Sequence, residues 1–215
     1  MHLKPDPRFL AITAHDLRGA VGVLDGAMKE LTRDVSNDRP DAAKLSLMMT
    51  RSTQRLLLIA DRLSVLAKLT DNEELELSER GDVTPLVKEA ANRSFSAHGR
   101  RALRLRFEGG PAPAVFHGQA LAGAVAELTA LVCSFSQAEV SICIAGSATA
   151  TRITFVSDNS SEGVQRTLRD RTGTTQAGAG VALAASVVER HHGQLELSKL
   201  DGSSASISIV LPVST

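Results

Sequence analysis

The sequence predicts an α+β chain: an N-terminal antiparallel helical hairpin that forms a dimeric four-helix bundle, followed by an α/β sandwich. Three observations carry this. Leu17, Val21, Leu24, Met28, Leu31 and Val35 recur in steps of four and three, and the stepping returns at Leu45, Met49, Ser52, Leu56, Ile59, Leu63 and Leu66. That is the heptad seam of helices packed lengthwise. Beyond Asp71-Asn72-Glu73-Glu74 the pattern changes to short alternating runs interleaved with helical segments, the mark of strands under helices. Finally, Leu47, Met48, Leu57, Leu58 and Val65 widen the second helix's apolar face beyond what one partner helix covers, which asks for a second copy of the chain.

Taken in order, the first helix is expected from about Pro7 to Val35, closed by the polar turn Ser36-Asn37-Asp38-Arg39-Pro40. The second seam runs to about residue 70, and 71–74 reads as a linker between domains at 1–72 and 73–215. Leu75-Glu76-Leu77 reads as a short strand. Asp82 is a helix N-cap candidate with Pro85 in the first turn of a helix to Ala97. Leu103 to Phe107 alternates as a half-buried strand, and Ala114-Val115-Phe116 is a brief one. Gln119 to Phe135 is almost wholly apolar and predicts a buried helix. Strands follow at Glu139–Ala145 and Arg152–Val156, then a polar stretch from Asn159 to Ala177 long enough to be a lid. A helix over Gly178–His191 and a hairpin of Gln194–Ser198 with Ala205–Leu211 close the chain.

Composition narrows the function classes. Lys+Arg and Asp+Glu both number 24, so nothing points to nucleic acid or another polyanion as partner. No apolar run reaches the roughly 18 residues that span a bilayer, and Met1 to Pro7 lacks the apolar core of a signal peptide; a cytoplasmic protein without membrane contact is expected. The two cysteines, Cys133 and Cys143, lie in apolar segments and read as small buried hydrophobes, with no disulfide and no metal site. His98 and His117 read as surface residues, and His191-His192 as a helix end where positive character suits the dipole.

The candidate centre is Ala14-His15-Asp16-Leu17-Arg18-Gly19-Ala20-Val21. His15 falls one residue past a seam position, on the flank facing water. A neutral imidazole is a competent nucleophile near pH 7. Asp16 can bond the other ring nitrogen or take its proton, and Arg18, three residues on, can hold phosphoryl oxygens.

The order of parts resembles the catalytic core of bacterial sensor histidine kinases. The resemblance rests on His15-Asp16-Leu17-Arg18, similar to the start of that family's phosphoacceptor box, and on Val188-Glu189-Arg190-His191-His192-Gly193-Gln194-Leu195, similar to the end of its last sandwich helix. It implies a dimerisation and histidine-phosphotransfer hairpin joined to a sandwich of the GHKL/HATPase type. It also implies catalytic roles for His15, Asp16 and Arg18.

The departures from the family's pattern matter as much. Gly19 and Ala20 stand where the family has threonine or asparagine followed by proline, which puts phosphatase chemistry in doubt. Aligned on Glu127-Leu128, the magnesium-holding asparagine falls at Leu131 and the basic position after it at Ser134. The first glycine box reads Asp158-Asn159-Ser160-Ser161-Glu162, and the second keeps Gly178 and Gly180 but has Ala182 for a third glycine. Glu127, Asp158, Gly178 and Gly180 are thus at most a vestigial nucleotide site, and no cofactor is expected. The expectation is a phosphorelay protein that carries phosphoryl groups between response-regulator receiver domains through His15, working as a homodimer. A hybrid histidine kinase is a further candidate partner, and the lack of a recognisable sensor or receiver segment favours a relay. The alternatives are a soluble histidine kinase using Mg-ATP at an atypical site, and a non-catalytic scaffold for regulators or kinases.

Overall fold

A computed structural model describes residues 7–32, 41–70, 77–98, 102–159, 176–199 and 204–213. Two long helices open it, α1 (Pro7–Thr32) and α2 (Ala42–Thr70). Asp41 caps α2, its carboxylate accepting from the Lys44 N–H at 3.1 Å. The predicted turn at 36–40, the linker at 71–74, most of the 159–177 stretch and the second and third glycine-box positions, Ser160 and Glu162, lie outside the described residues.

The remaining elements are β1 (Glu79–Asp82), α3 (Thr84–His98), β2 (Arg104–Gly109), β3 (Pro113–Phe116), α4 (Gly118–Phe135), β4 (Glu139–Gly146), β5 (Ala150–Ser157), α5 (Gln176–Arg190), β6 (Gln194–Lys199) and β7 (Ala205–Pro212). Among the described residues the first strand therefore starts at Glu79 with Leu77 ahead of it, while Leu75 and Glu76 lie outside them. Asp82 ends that strand rather than capping α3 from the adjacent position. Its Oδ1 accepts from both Thr84 N–H and Ala112 N–H at 2.9 Å, tying the helix start to the loop before β3.

Five strands make one sheet in the order β2-β4-β5-β7-β6, with β2 parallel to β4 and the other pairs antiparallel; β1 and β3 form a separate antiparallel ribbon. Alternation sends Val140, Ile142, Ile144, Ile153, Phe155, Ile207, Ile209 and Leu211 into one core with the helices. The same alternation puts Cys143 on the outer side of β4, half-buried beside Glu108, so only Cys133 is the buried hydrophobe expected. Burial pushes the Cys133 thiol up to about 12, leaving it without thiolate character. At the end of β2, Gly109 has φ +106°, and a Cβ there would collide with the Ile144 carbonyl, so the strand's exit requires glycine. α4 is long and apolar enough to cross a membrane by length and composition, which corrects the expectation that no segment is. Two-thirds of it is buried in this fold, as a core helix is.

The hairpin packs differently from the simple seam. Among the described side chains of α1 the buried positions are Thr13, Ala20 and Ala27, seven apart, and on α2 they include Leu45, Ser52, Ile59 and Leu66, also seven apart. Small side chains let the helices approach closely. The bulkier seam residues Leu17, Val21, Met28 and Leu31 stay exposed on the single chain. The last turns of α2 bury Val65, Leu66 and Leu69 in the same core as the sandwich.

His191 also departs from expectation. It is fully buried just past α5, with Nδ1–H donating to the Val187 carbonyl at 2.7 Å and Nε2 accepting the His117 N–H at 3.0 Å. Both ring nitrogens are engaged in the neutral form, and burial holds its pKa below the ordinary 6.5 against the opposing Val187 bond. His98, bonded through Nδ1 to the Ser94 carbonyl, is lowered by burial too. Folded pKa values below the unfolded one mean stability fully present above about pH 6.5 and lost as the pH falls through it, because the unfolded chain takes up protons first. Each histidine contributes a slope of at most about 1.4 kcal/mol per pH unit. The urea midpoint should drop between pH 7.5 and pH 5.5, and His191→Gln should flatten that fall; a midpoint equal at both values contradicts the assignment.

Candidate functional site

His15 lies two turns into α1 with its side chain 85% exposed. Its Nδ1 is 3.7 Å from Asp16 Oδ1, outside hydrogen-bond range but close enough for the carboxylate to receive a proton after a small ring rotation. Asp16 in turn faces α2, where Arg62 Nη1 stands 3.5 Å from its Oδ2. The same guanidinium grips Glu127 on α4 with two bonds, Nε to Oε1 at 2.6 Å and Nη2 to Oε2 at 2.7 Å. This is the planar fork that arginine and carboxylate form best. The Arg62, Glu127 and Asp16 side chains are 12%, 10% and 16% exposed. Burial opposes the charge on Arg62, but the carboxylates of Glu127 and then Asp16 outweigh it and raise its pKa.

These groups share a cavity of about 290 Å³ between hairpin and sandwich. His15, Asp16, Gly19 and Ala20 line it from α1, Arg55, Leu58, Ile59 and Arg62 from α2, and Ser94, His98, Ala126, Glu127 and Ala130 from α3 and α4. Arg18 is exposed and is not part of this wall. Sequence reading singled out His15, Asp16 and Glu127 but missed Arg55, Arg62 and His98. The second seam held a signal: arginines inside an apolar helix pattern, at 55 and 62, are one heptad apart and on one face.

The residues expected to be vestiges of a nucleotide site have other partners. Leu131 is buried and supplies no oxygen. Asp158 accepts from the backbone N–H groups of Gln137, Ala138 and Glu139 at 2.7, 2.7 and 3.1 Å, tying β5 to the start of β4. Burial works to raise its pKa, but these backbone bonds prevail and hold it low. Gly178 and Gly180 lie buried in the first turns of α5. A Cβ on Gly180 would come 2.7 Å from Glu127 Oε2, so its glycine lets α5 close on α4 and the ion network.

No protein-family model matches the chain. The sensor histidine kinase TrcS of Mycobacterium tuberculosis is 35% identical over 86 residues, 40% of this chain and 16% of that protein. The chain thus matches about one-sixth of the curated relative's length. The histidine kinase AdeS of Acinetobacter baumannii superimposes over 93% of this chain and 98% of its own, with TM-score 0.57 and 17% identity. A bacterial phosphotransferase superimposes over 94% and 93%, also with TM-score 0.57, at 9% identity. The chain has the histidine-kinase-like catalytic-core fold: helical hairpin, then mixed sheet with helices.

Because Arg62 serves two carboxylates, removing it leaves both buried and poorly compensated. Arg62→Gln should lower unfolding stability by about 2–4 kcal/mol, measured by urea denaturation. Arg62→Met with Glu127→Met should recover much of that loss; equal losses in both variants would show that packing, not charge, holds the contact.

Proposed function

We propose that this chain is a histidine phosphotransfer protein of two-component signalling, relaying phosphoryl groups between receiver-domain aspartates through His15. The observation that carries it is an exposed imidazole beside a carboxylate held by Arg62, while the positions resembling a nucleotide site are committed to packing. Histidine kinases and a phosphotransferase share this fold, and the relay reading is supported by the His15 site rather than by the fold. The step balances simply. An imidazole nitrogen of His15 forms the N–P bond as the P–O bond of a donor aspartyl phosphate breaks. The bonding pair leaves with the donor carboxylate, and the ring's N–H proton passes to Asp16 or water. The reverse sequence delivers the group to a second receiver. In this reading Asp16 is the base, Arg18 flanks His15 outside the cavity, and the two parts are 1–72 and 73–215. No nucleotide cofactor takes part.

Label from a ³²P-phosphorylated receiver domain should appear on His15, in an acid-labile and base-stable form, and vanish in His15→Ala. Mg-ATP alone should give no label and no micromolar binding by calorimetry. Label from Mg-ATP would establish the kinase reading, and no label from either source the scaffold reading.

Homodimerisation through the hairpin belongs to the same proposal. Leu57 is 54% exposed and Leu63 39% on the single chain, alongside Leu17, Val21 and Met28 on α1. Leu57→Glu should therefore convert a dimer to monomer in sedimentation without lowering helix content; a monomeric unmutated protein at micromolar concentration refutes the dimer.

A further inference from the structure

We propose that the cavity beside His15 seats the phosphoryl group carried by that residue, and that Arg55 is the side chain that holds it. The inference rests on the phosphotransfer reading of His15 and adds the residue that binds the transferred group. Two arginines line the cavity, and they are not equivalent. Arg62 has its Nε and Nη2 on Glu127 and its Nη1 toward Asp16. Arg55 makes one bond, from Nε to the Ala97 carbonyl at 3.0 Å, near the C-terminal end of α3. That bond fixes the guanidinium at the cavity wall. Its Nη1 and Nη2 have no carboxylate partner among the described residues, which leaves a two-pronged donor of the kind that fits phosphoryl oxygens.

The other polar groups in the wall do not compete for that role. Ser94 Oγ donates to the Ala126 carbonyl, and His98 has its Nδ1 on the Ser94 carbonyl, with burial pushing its pKa down. Asp16 and Glu127 would repel an anion, but Arg62 lies against both. Room is available as well. The cavity is several times the roughly 30 Å³ that one water molecule occupies. Gly19, one turn beyond His15, lines the same cavity, and a Cβ there would meet no atom within 4 Å.

The test phosphorylates the full chain in two ways: with a ³²P-labelled phosphorylated receiver domain, and with potassium phosphoramidate, which labels histidine without a partner protein. Arg55→Gln should slow receiver-dependent labelling at least tenfold, leave affinity for the unphosphorylated receiver unchanged, and move the ³¹P resonance of phosphoramidate-labelled His15. Arg55→Lys should restore part of the rate. Gly19→Leu, favourable for a helix, should slow labelling by filling the cavity while the urea midpoint holds. Wild-type labelling rates and an unmoved ³¹P resonance in Arg55→Gln overturn the inference and leave the relay standing. If no receiver labels His15, yet Arg55→Gln still moves the resonance of the phosphoramidate product, the relay fails and the seat stands.

Discussion

One guanidinium organises this molecule. Arg62 rises from the middle of α2 and meets Glu127 of the sandwich and Asp16 of α1 at once. A buried ion pair is a poor source of net stability, since desolvation cancels most of its attraction. What it supplies is geometry. The fork on Glu127 sets where α4 lies against the hairpin, and the remaining nitrogen points Asp16 toward His15. Around it, Val65, Leu66 and Leu69 give the apolar burial that a charge network alone does not. Gly180 brings α5 close enough to seal the Glu127 side. His15 is therefore exposed while Asp16, Arg62 and Glu127 beneath it are largely buried.

The same arrangement gives the described positions that resemble a nucleotide site partners within the fold. Where a binding helix would turn oxygens outward, α4 presents Leu131 to the core and Glu127 to Arg62. Asp158, at the end of β5, closes the junction before β4 through three backbone N–H groups. None of these changes touches the alternating apolar face of β4, β5 and β7, so the fold persists. The sheet's stability comes from that face.

The sequence made the elements legible because their periods are strong: heptads over α1 and α2, alternation over β4 and β5, an unbroken apolar run in α4. It made His15 and Asp16 legible as a pair because they adjoin along the chain. Arg62 and Glu127 are 65 residues apart, and nothing local to either tells which opposite charge will face it. His191 shows the same limit. A histidine at a helix end reads as a cation complementing the dipole, yet packing buries it and a backbone N–H 74 residues away fixes its neutral form. Strand β1 eluded the pattern because Glu79-Arg80-Gly81-Asp82 carries no apolar alternation and is held by its ladder with β3.

The exposed apolar stripe and His15 also divide α1 between them. At about 100° per residue, Leu10, Leu17, Val21 and Met28 lie roughly 120–160° around the helix from His15. Thr13, Ala20 and Ala27 lie a similar angle from His15 in the opposite sense, face inward and are buried. Gly19 and Asp16 fall on the His15 side and line the cavity, whereas Arg18 falls outside it. A second copy laid along the leucine stripe would therefore cover apolar surface without reaching the imidazole. A large side chain at position 20 would force α1 from α2 and move Asp16 off Arg62. The small residues of the inner stripe therefore set the distance across which Arg62 must reach to meet Asp16.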